Sequence, residues 1–272
     1  MTKLNFNILS AVLIGSASLL IACDNIADDD RLNELPKQEI KRNVLIQEFT
    51  GQRCPNCPEG AAMVSDIIAD NPEGSVVAVS LHPSGTNFTR PLGGLNLTSA
   101  TATAYYNYYR PTGFPAAVID GDTPATNIAT WSAKVYNELS TNSPVDMEID
   151  ARFSPDDRKL SVGYSLMMLE TLNAPATINL WVVESGIIGP QYTNGPQNPT
   201  YSHNHVLRGS LTGDWGVSLG NSFNFADNLQ GNYEMELPEE WVADNCHIVA
   251  FLQNPDSKFV YQVVEAHINN VE

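Results

Sequence analysis

The chain has 272 residues, with 31 acidic and 14 basic side chains, a formal charge of −17, 43% hydrophobic content and 17% charged content. This composition supports a packed core and excludes disordered and low-complexity architectures. The acidic excess excludes nucleic-acid partners and polybasic membrane-surface binding, which need clustered Lys and Arg, and four cysteines are too few for a disulfide scaffold.

Lys3 precedes an uncharged run from Ile8 to Ala22. As a helix that run would reach about 22 Å, short of the roughly 30 Å hydrocarbon core, so it has signal-peptide length and does not span a membrane. Leu20-Ile21-Ala22-Cys23 resembles a bacterial lipobox, in which the cysteine is acylated. Residues 1–22 are therefore expected to be a lipoprotein signal peptide, and Cys23 the lipid anchor to the membrane. Residues 23–41, with Asp24 and Asp28 to Asp30, are expected to be an acidic tether. The acidic residues soon after Cys23 loosely resemble surface-export signals of Bacteroidota lipoproteins. An envelope location permits stable disulfides.

From Asn43 the pattern becomes that of a fold. Asn43–Thr50 reads as a buried strand, followed by Arg53-Cys-Pro-Asn-Cys-Pro58 and a helix from Glu59 to Asp70 that Asn71-Pro72 ends. Ser75–Leu81 is a second strand, so the segment predicts a parallel βαβ unit. An inserted loop follows from Leu81 to Thr98. Ser99 can cap a helix running to about Tyr109, Gly113–Gly121 holds a strand, and Thr126–Leu139 a third helix. Beyond Pro144 the apolar period drops to two: Val145–Phe153 alternates, as do parts of Lys159–Glu170 and Ala176–Glu184, and Ser222–Phe225 and Tyr233–Leu237 are further strand candidates. His247–Gln253 and Phe259–His267, joined by Asn-Pro-Asp-Ser, predict a hairpin. Gly186–Ser202 reads as a long irregular loop. Roughly seven strands without a good helix suggest a β-sandwich.

Cys54 and Cys57 lie where the first strand hands over to a helix, close enough in sequence to form a small-ring disulfide. Cys54 is expected near the helix N-cap, where free N–H groups and the dipole favour a thiolate, with Pro55 at the first helical position and Cys57 as the deeper, resolving thiol. A structural disulfide or a metal pair remain alternatives, although zinc needs two more ligands and neither Cys246 nor a histidine is near in sequence. No cofactor is called for.

This segment resembles the thioredoxin superfamily. The resemblance assigns Glu48, six residues before Cys54, to the place of a buried proton-transfer acid. It assigns Gly113-Phe114-Pro115 to the cis-proline loop that binds the substrate backbone. Three positions depart from the pattern: Arg53, Phe114 and Pro58, the last unable to donate a helical hydrogen bond to Cys54. Glu48-Phe-Thr-Gly with Cys54…Cys57-Pro58, the lipobox, Ser202–Arg208 and the strand-rich C-terminal half also resemble the twenty-eight-kilodalton outer-membrane lipoprotein family of Bacteroidota. That resemblance implies a thioredoxin-like α/β domain over 42–142, an all-β immunoglobulin-like sandwich over 143–272, and an outer-membrane location.

Other candidates carry weaker signals. His203 and His205 would share one side of a strand, at a spacing a metal site could use, but no third ligand is apparent and a loop-anchoring role is the expectation. His82 follows the second strand on the sheet edge expected to hold the cysteines. Tyr105, Tyr106, Tyr108 and Tyr109 could line a peptide groove near Phe114 or pack a helix onto the core. Cys246 reads as a buried thiol. Two functions follow: thiol–disulfide exchange with envelope proteins through Cys54, Cys57, Glu48 and Pro115, or a non-enzymatic binding or structural lipoprotein on a scaffold domain. The second needs an exposed patch in the C-terminal half, with Trp181, Trp215 and Trp241 as candidates.

Overall fold

The structure is a computed structural model and describes residues 39–270. The expected signal peptide, the Cys23 lipid site and most of the tether lie outside the described residues.

The first half runs β1 (Val44–Phe49), α1 (Cys57–Ala69), β2 (Val76–Leu81), α2 (Ala100–Tyr109), β3 (Ala116–Ile119) and α3 (Trp131–Leu139). β1 pairs in parallel with β2 and antiparallel with β3, so it lies between them with all six residues buried. α1 buries Cys57, Gly60, Val64 and Ile67, one stripe at helical spacing, and stops before Asn71-Pro72, where the Asn71 amide caps the Ile67 carbonyl at 2.7 Å. Ser99 caps α2 by accepting from the Ala102 N–H at 3.2 Å, and Arg110 ends it with φ 45° before Pro111. α3 starts at Trp131, later than the periodicity suggests. Asn127 diverts the chain into a 3-10 turn over Ile128–Thr130 by accepting from the Ala129 N–H.

The second half runs β4 (Val145–Ser154), β5 (Lys159–Met168), β6 (Ala176–Glu184), β7 (Ile187–Gln191), β8 (Asn198–His203), β9 (Val206–Ser210), β10 (Val217–Gly220), β11 (Asn228–Glu236), β12 (Cys246–Gln253), β13 (Val260–His267) and β14 (Asn269–Asn270). The β12–β13 hairpin turns at the expected Asn-Pro-Asp-Ser. Elsewhere the expectations need correction. Gly186–Ser202 is largely the antiparallel β7–β8 hairpin, whose Gly, Pro and Asn content hid its strands. Phe223 makes only an isolated bridge to Leu172, and β11 is longer than the segment singled out. β6 does not alternate, because both of its faces are covered.

The largest sheet has the order β13-β12-β6-β9-β2-β1-β3, with β10 also on β6. β9 joins the halves: Val206 pairs with Ser80 of β2, while Val206–Ser210 runs along β6. The sheet therefore passes without a break across residue 143, and the described residues form one compact unit. Three buried clusters order the layers. Val64, Ile67, Trp131 and Val135 of α1 and α3 cover one face of β1–β3. Ala102 and Tyr105 of α2 cover the other face, which continues to Trp181 and Phe251. Leu160, Leu166 and Val162 of the β11-β5-β4-β14 sheet pack on Ile178, Leu180 and Ile248.

Candidate functional site

β1 delivers the chain into the cysteine turn. Thr50–Arg53 leave the strand, the Cys54 N–H donates to the Gly51 carbonyl at 3.0 Å, and the Cys57 N–H donates to the Cys54 carbonyl at 3.3 Å. Cys54 and Cys57 form a disulfide, with Cα atoms 5.4 Å apart. The helix begins at Cys57, not around Cys54, so Cys57 holds the N-terminal position expected for its partner. Pro58 then sits in the first turn, where a missing N–H is harmless, which removes the conflict its position suggested.

Glu48, Pro115 and α1 converge at Gly60. A Cβ there would lie 2.5 Å from Glu48 Oε1 and 2.8 Å from Pro115 Cβ, so only glycine lets the helix approach both. The Phe114–Pro115 peptide is cis. Gly60 carried no signal in the sequence, because a helical glycine announces neither its neighbours nor its contacts.

A small cavity of about 20 Å³, room for about one water molecule, lies beside Cys57 and is lined by Glu48, Tyr201, His82, His203 and Gln191 among others. Burial pushes the Glu48 carboxyl up to about 8. Burial lowers His82 to about 3, with neighbouring His203 adding to the effect, and lowers His203 to about 4. Glu48 Oε1, His82 Nδ1 and His203 Nε2 are buried with no hydrogen-bond partner. The His82 and His203 rings meet edge to face, 6.3 Å apart. The histidine pairing thus differs from expectation. His203 closes β8, whereas His205 sits in a turn with φ 56°, so they share no strand face, and His203 meets His82 instead. Among the described residues, no group of three or more His, Cys, Asp or Glu side chains could hold a metal ion.

Both half-cystines are covered: Cys54 is 1% and Cys57 2% exposed. One cover is the 83–98 loop. The Arg53 N–H donates to the Phe88 carbonyl, and its guanidinium to the Arg90 and Pro91 carbonyls at 3.2 and 2.9 Å. The other cover is the β7–β8 hairpin. Gln191 Nε2 donates to the Gly51 and Cys54 carbonyls at 3.1 and 3.0 Å, and the Tyr192 N–H to the Gln52 carbonyl at 2.8 Å. Arg53 also reaches the Tyr192 hydroxyl at 3.2 Å, which gives the residue that replaces the usual aromatic a local task.

The remaining candidates are structural. Tyr105 is fully buried, stacked on Trp215 at 4.4 Å and edge-on to Trp181 at 5.0 Å, and Tyr106 and Tyr109 lean on Phe49. Tyr108 alone of the four is exposed. Trp181 and Trp241 are buried and Trp215 lies under Lys258, so the three tryptophans form no exposed patch. Cys246 is a buried free thiol that burial, aided by Glu184, pushes up to about 12.

The sequence profile described as Outer membrane protein Omp28 matches residues 102–272. That stretch contains Pro115, the β7–β8 hairpin and His203, whereas Glu48, Cys54, Cys57 and His82 precede it. Among solved structures, HBP35 of Porphyromonas gingivalis superposes with a TM-score of 0.68 at 16% identity, over 84% of this chain and 76% of its own. At that identity the likeness concerns the fold alone. A domain of the outer membrane lipoprotein Omp28 from Porphyromonas gingivalis is 24% identical over 48% of this chain and 92% of its own, with a TM-score of 0.34. A protein from Agrobacterium tumefaciens is 14% identical over 84% of this chain and 95% of its own, with a TM-score of 0.48. No curated protein matches significantly.

Proposed function

This chain belongs to the Omp28 family of outer-membrane proteins, and on that premise we propose that it is a Cys23-anchored lipoprotein whose body is a thiol–disulfide oxidoreductase of the cell envelope. The proposal includes the fold reading, a thioredoxin-like layer over 42–142 continued by an immunoglobulin-like sandwich over 143–272. One observation carries the activity: buried Glu48, whose Oε1 has no hydrogen-bond partner, lines a small cavity with Cys57 and meets cis-Pro115 across Gly60. A carboxyl raised to about 8 is poised to exchange a proton with a thiol near neutral pH.

With the pair reduced, the Cys54 thiolate attacks one sulfur of a substrate disulfide. The substrate S–S bond breaks, and its other sulfur leaves with the electron pair and takes a proton. Cys57 gives its proton to ionised Glu48 and attacks the Cys54 sulfur, which frees the second substrate thiol and forms Cys54–Cys57. Two electrons reach the substrate, and an envelope dithiol must replace them. In the other direction the disulfide takes two electrons from a substrate dithiol, and protonated Glu48 supplies Cys57.

The test is capture in cells. A Cys57→Ser variant should accumulate mixed disulfides through Cys54, and a Cys54→Ser, Cys57→Ser double variant should accumulate none. Equal yields from the two variants would remove the enzymatic reading. A non-enzymatic binding or structural lipoprotein is the second reading, favoured by the near-complete burial of both half-cystines. A reduction potential well below about −300 mV would mark a permanent bridge and favour it. The anchor is tested separately: Cys23→Ala should release the protein from membranes, and unchanged outer-membrane fractionation would refute the lipid site.

A further inference from the structure

The second cover over the cysteines is built differently from the scaffold beneath it. β7 and β8 pair only with each other, as a two-stranded sheet separate from the eight-stranded one. The hairpin is flanked by residues with positive φ, Gly186 at 74° and His205 at 56°. Its base is fastened by the Gly186 N–H donating to Asn204 Oδ1 and the His205 N–H donating to Ser185 Oγ, at 2.9 and 3.0 Å. Beyond that base its polar grip falls on the motif itself: Gln191 on the Gly51 and Cys54 carbonyls, Tyr192 on Gln52 and Arg53, and Asn194 on Glu59 at 2.9 Å. The 83–98 loop meets the hairpin along a seam. A Cβ on Gly93 would lie 2.8 Å from the Pro190 side chain, and one on Gly189 would collide with Leu95.

We propose that the β7–β8 hairpin and the 83–98 loop form a two-part lid, hinged at Gly186 and His205, that must part before Cys54–Cys57 can exchange with another thiol. An incoming thiolate must approach a sulfur in line with the S–S bond, and the closed lid leaves almost no surface of either residue open to it. The hairpin is held by a few hydrogen bonds and a packed seam, and continues no strand of the large sheet. It can therefore swing as a body while the sheet stays intact. His203, at the end of β8, moves with it, so opening also wets the cavity beside Glu48 and Cys57. The lid's biological purpose rests on the oxidoreductase reading, but its existence does not.

The test is the rate at which dithiothreitol reduces Cys54–Cys57 in the full-length protein in detergent, read by mass after alkylation. Gln191→Ala removes both clamps on the motif carbonyls and should raise the rate about tenfold, as expected for losing about 1.4 kcal/mol of closed-state hydrogen bonding. Ile188→Ser, on the hairpin's exposed outer face, should leave it unchanged. A lid locked by Asn194→Cys with Glu59→Cys, two exposed positions already in hydrogen-bond contact, bridged by a bis-maleimide that the reductant cannot cleave, should react at least about tenfold more slowly. An unchanged rate in either the Gln191→Ala protein or the locked protein overturns the lid. If both shift as expected and the Cys57→Ser variant captures no partner, the lid stands and the oxidoreductase reading falls.

Discussion

Two buried carboxyl groups sit at opposite ends of β1; burial raises both, Asp120 to about 7 and Glu48 to about 8, but only Asp120 has a cation that opposes the shift. At the start of the strand, Asp120 accepts the Leu45 N–H at 2.8 Å and pairs with the buried Arg42 guanidinium at 3.1 Å. Arg42 also holds Glu138 and lies over the Phe259 ring at 4.6 Å. At the end of the strand, Glu48 is just as buried, and burial acts on its carboxyl with no cation beside it to compensate. The first carboxylate ties together the β3 turn, α3 and the C-terminal hairpin. The second is buried without a charge partner, which shifts it toward the neutral form at a cost to stability.

Breaking the paired end should do the most damage. Asp120→Ala leaves the buried Arg42 guanidinium with Glu138 alone and the Leu45 N–H without its acceptor, and should cost about 2–4 kcal/mol in urea unfolding. A loss below about 1 kcal/mol would mean that Arg42 is solvated in solution.

The unpaired end should show itself through pH. The folded Glu48 is raised from 4.5 to about 8. Its contribution is therefore fully present below 4.5 and is lost as pH rises through 8, with a slope of up to about 1.4 kcal/mol per pH unit. Glu48→Gln should flatten that decline between pH 4.5 and 8 and leave the protein at least as stable at pH 8. His82 and His203 act on the other side. Lowered from 6.5 to about 3 and 4, they support the fold above 6.5 and withdraw that support as pH falls through 4. A slope between pH 6.5 and 8 identical in Glu48→Gln and the native protein would contradict the assignment.

The smallest effect sharpens the comparison. The disulfide closes a ring of only four residues, so its loss should cost about 2 kcal/mol or less. The reduced protein should stay folded, with near-UV circular dichroism preserved. Unfolding on reduction would make Cys54–Cys57 a structural staple and set it beside Asp120.

The site was partly legible because its sequence-local pieces carry their own chemistry. Cys54 and Cys57 share one turn, Glu48 lies on the strand that feeds them, and Pro115 starts the strand beside it. His82 was noticed for the sheet edge on which it would end. Its partner was misassigned because sequence spacing pairs His203 with His205, whereas His205 turns the chain away. Gln191 and Gly60 gave no signal: one lies 137 residues from the carbonyl it clamps, and the other matters only for a side chain it does not have.

By itself the sequence determined the order of strands and helices up to α3, the caps at Ser99 and Asn71-Pro72, and the closing hairpin. Each of these depends on steric and hydrogen-bonding preferences spanning a few residues. Tertiary structure alone decided that β9 would join the two halves into one sheet, that β6 would be buried on both faces, and that a glycine-rich stretch would fold as a hairpin over the cysteines. Those outcomes rest on contacts between segments far apart in the chain. Local periodicity records which face of a strand is apolar, not which distant surface will cover it.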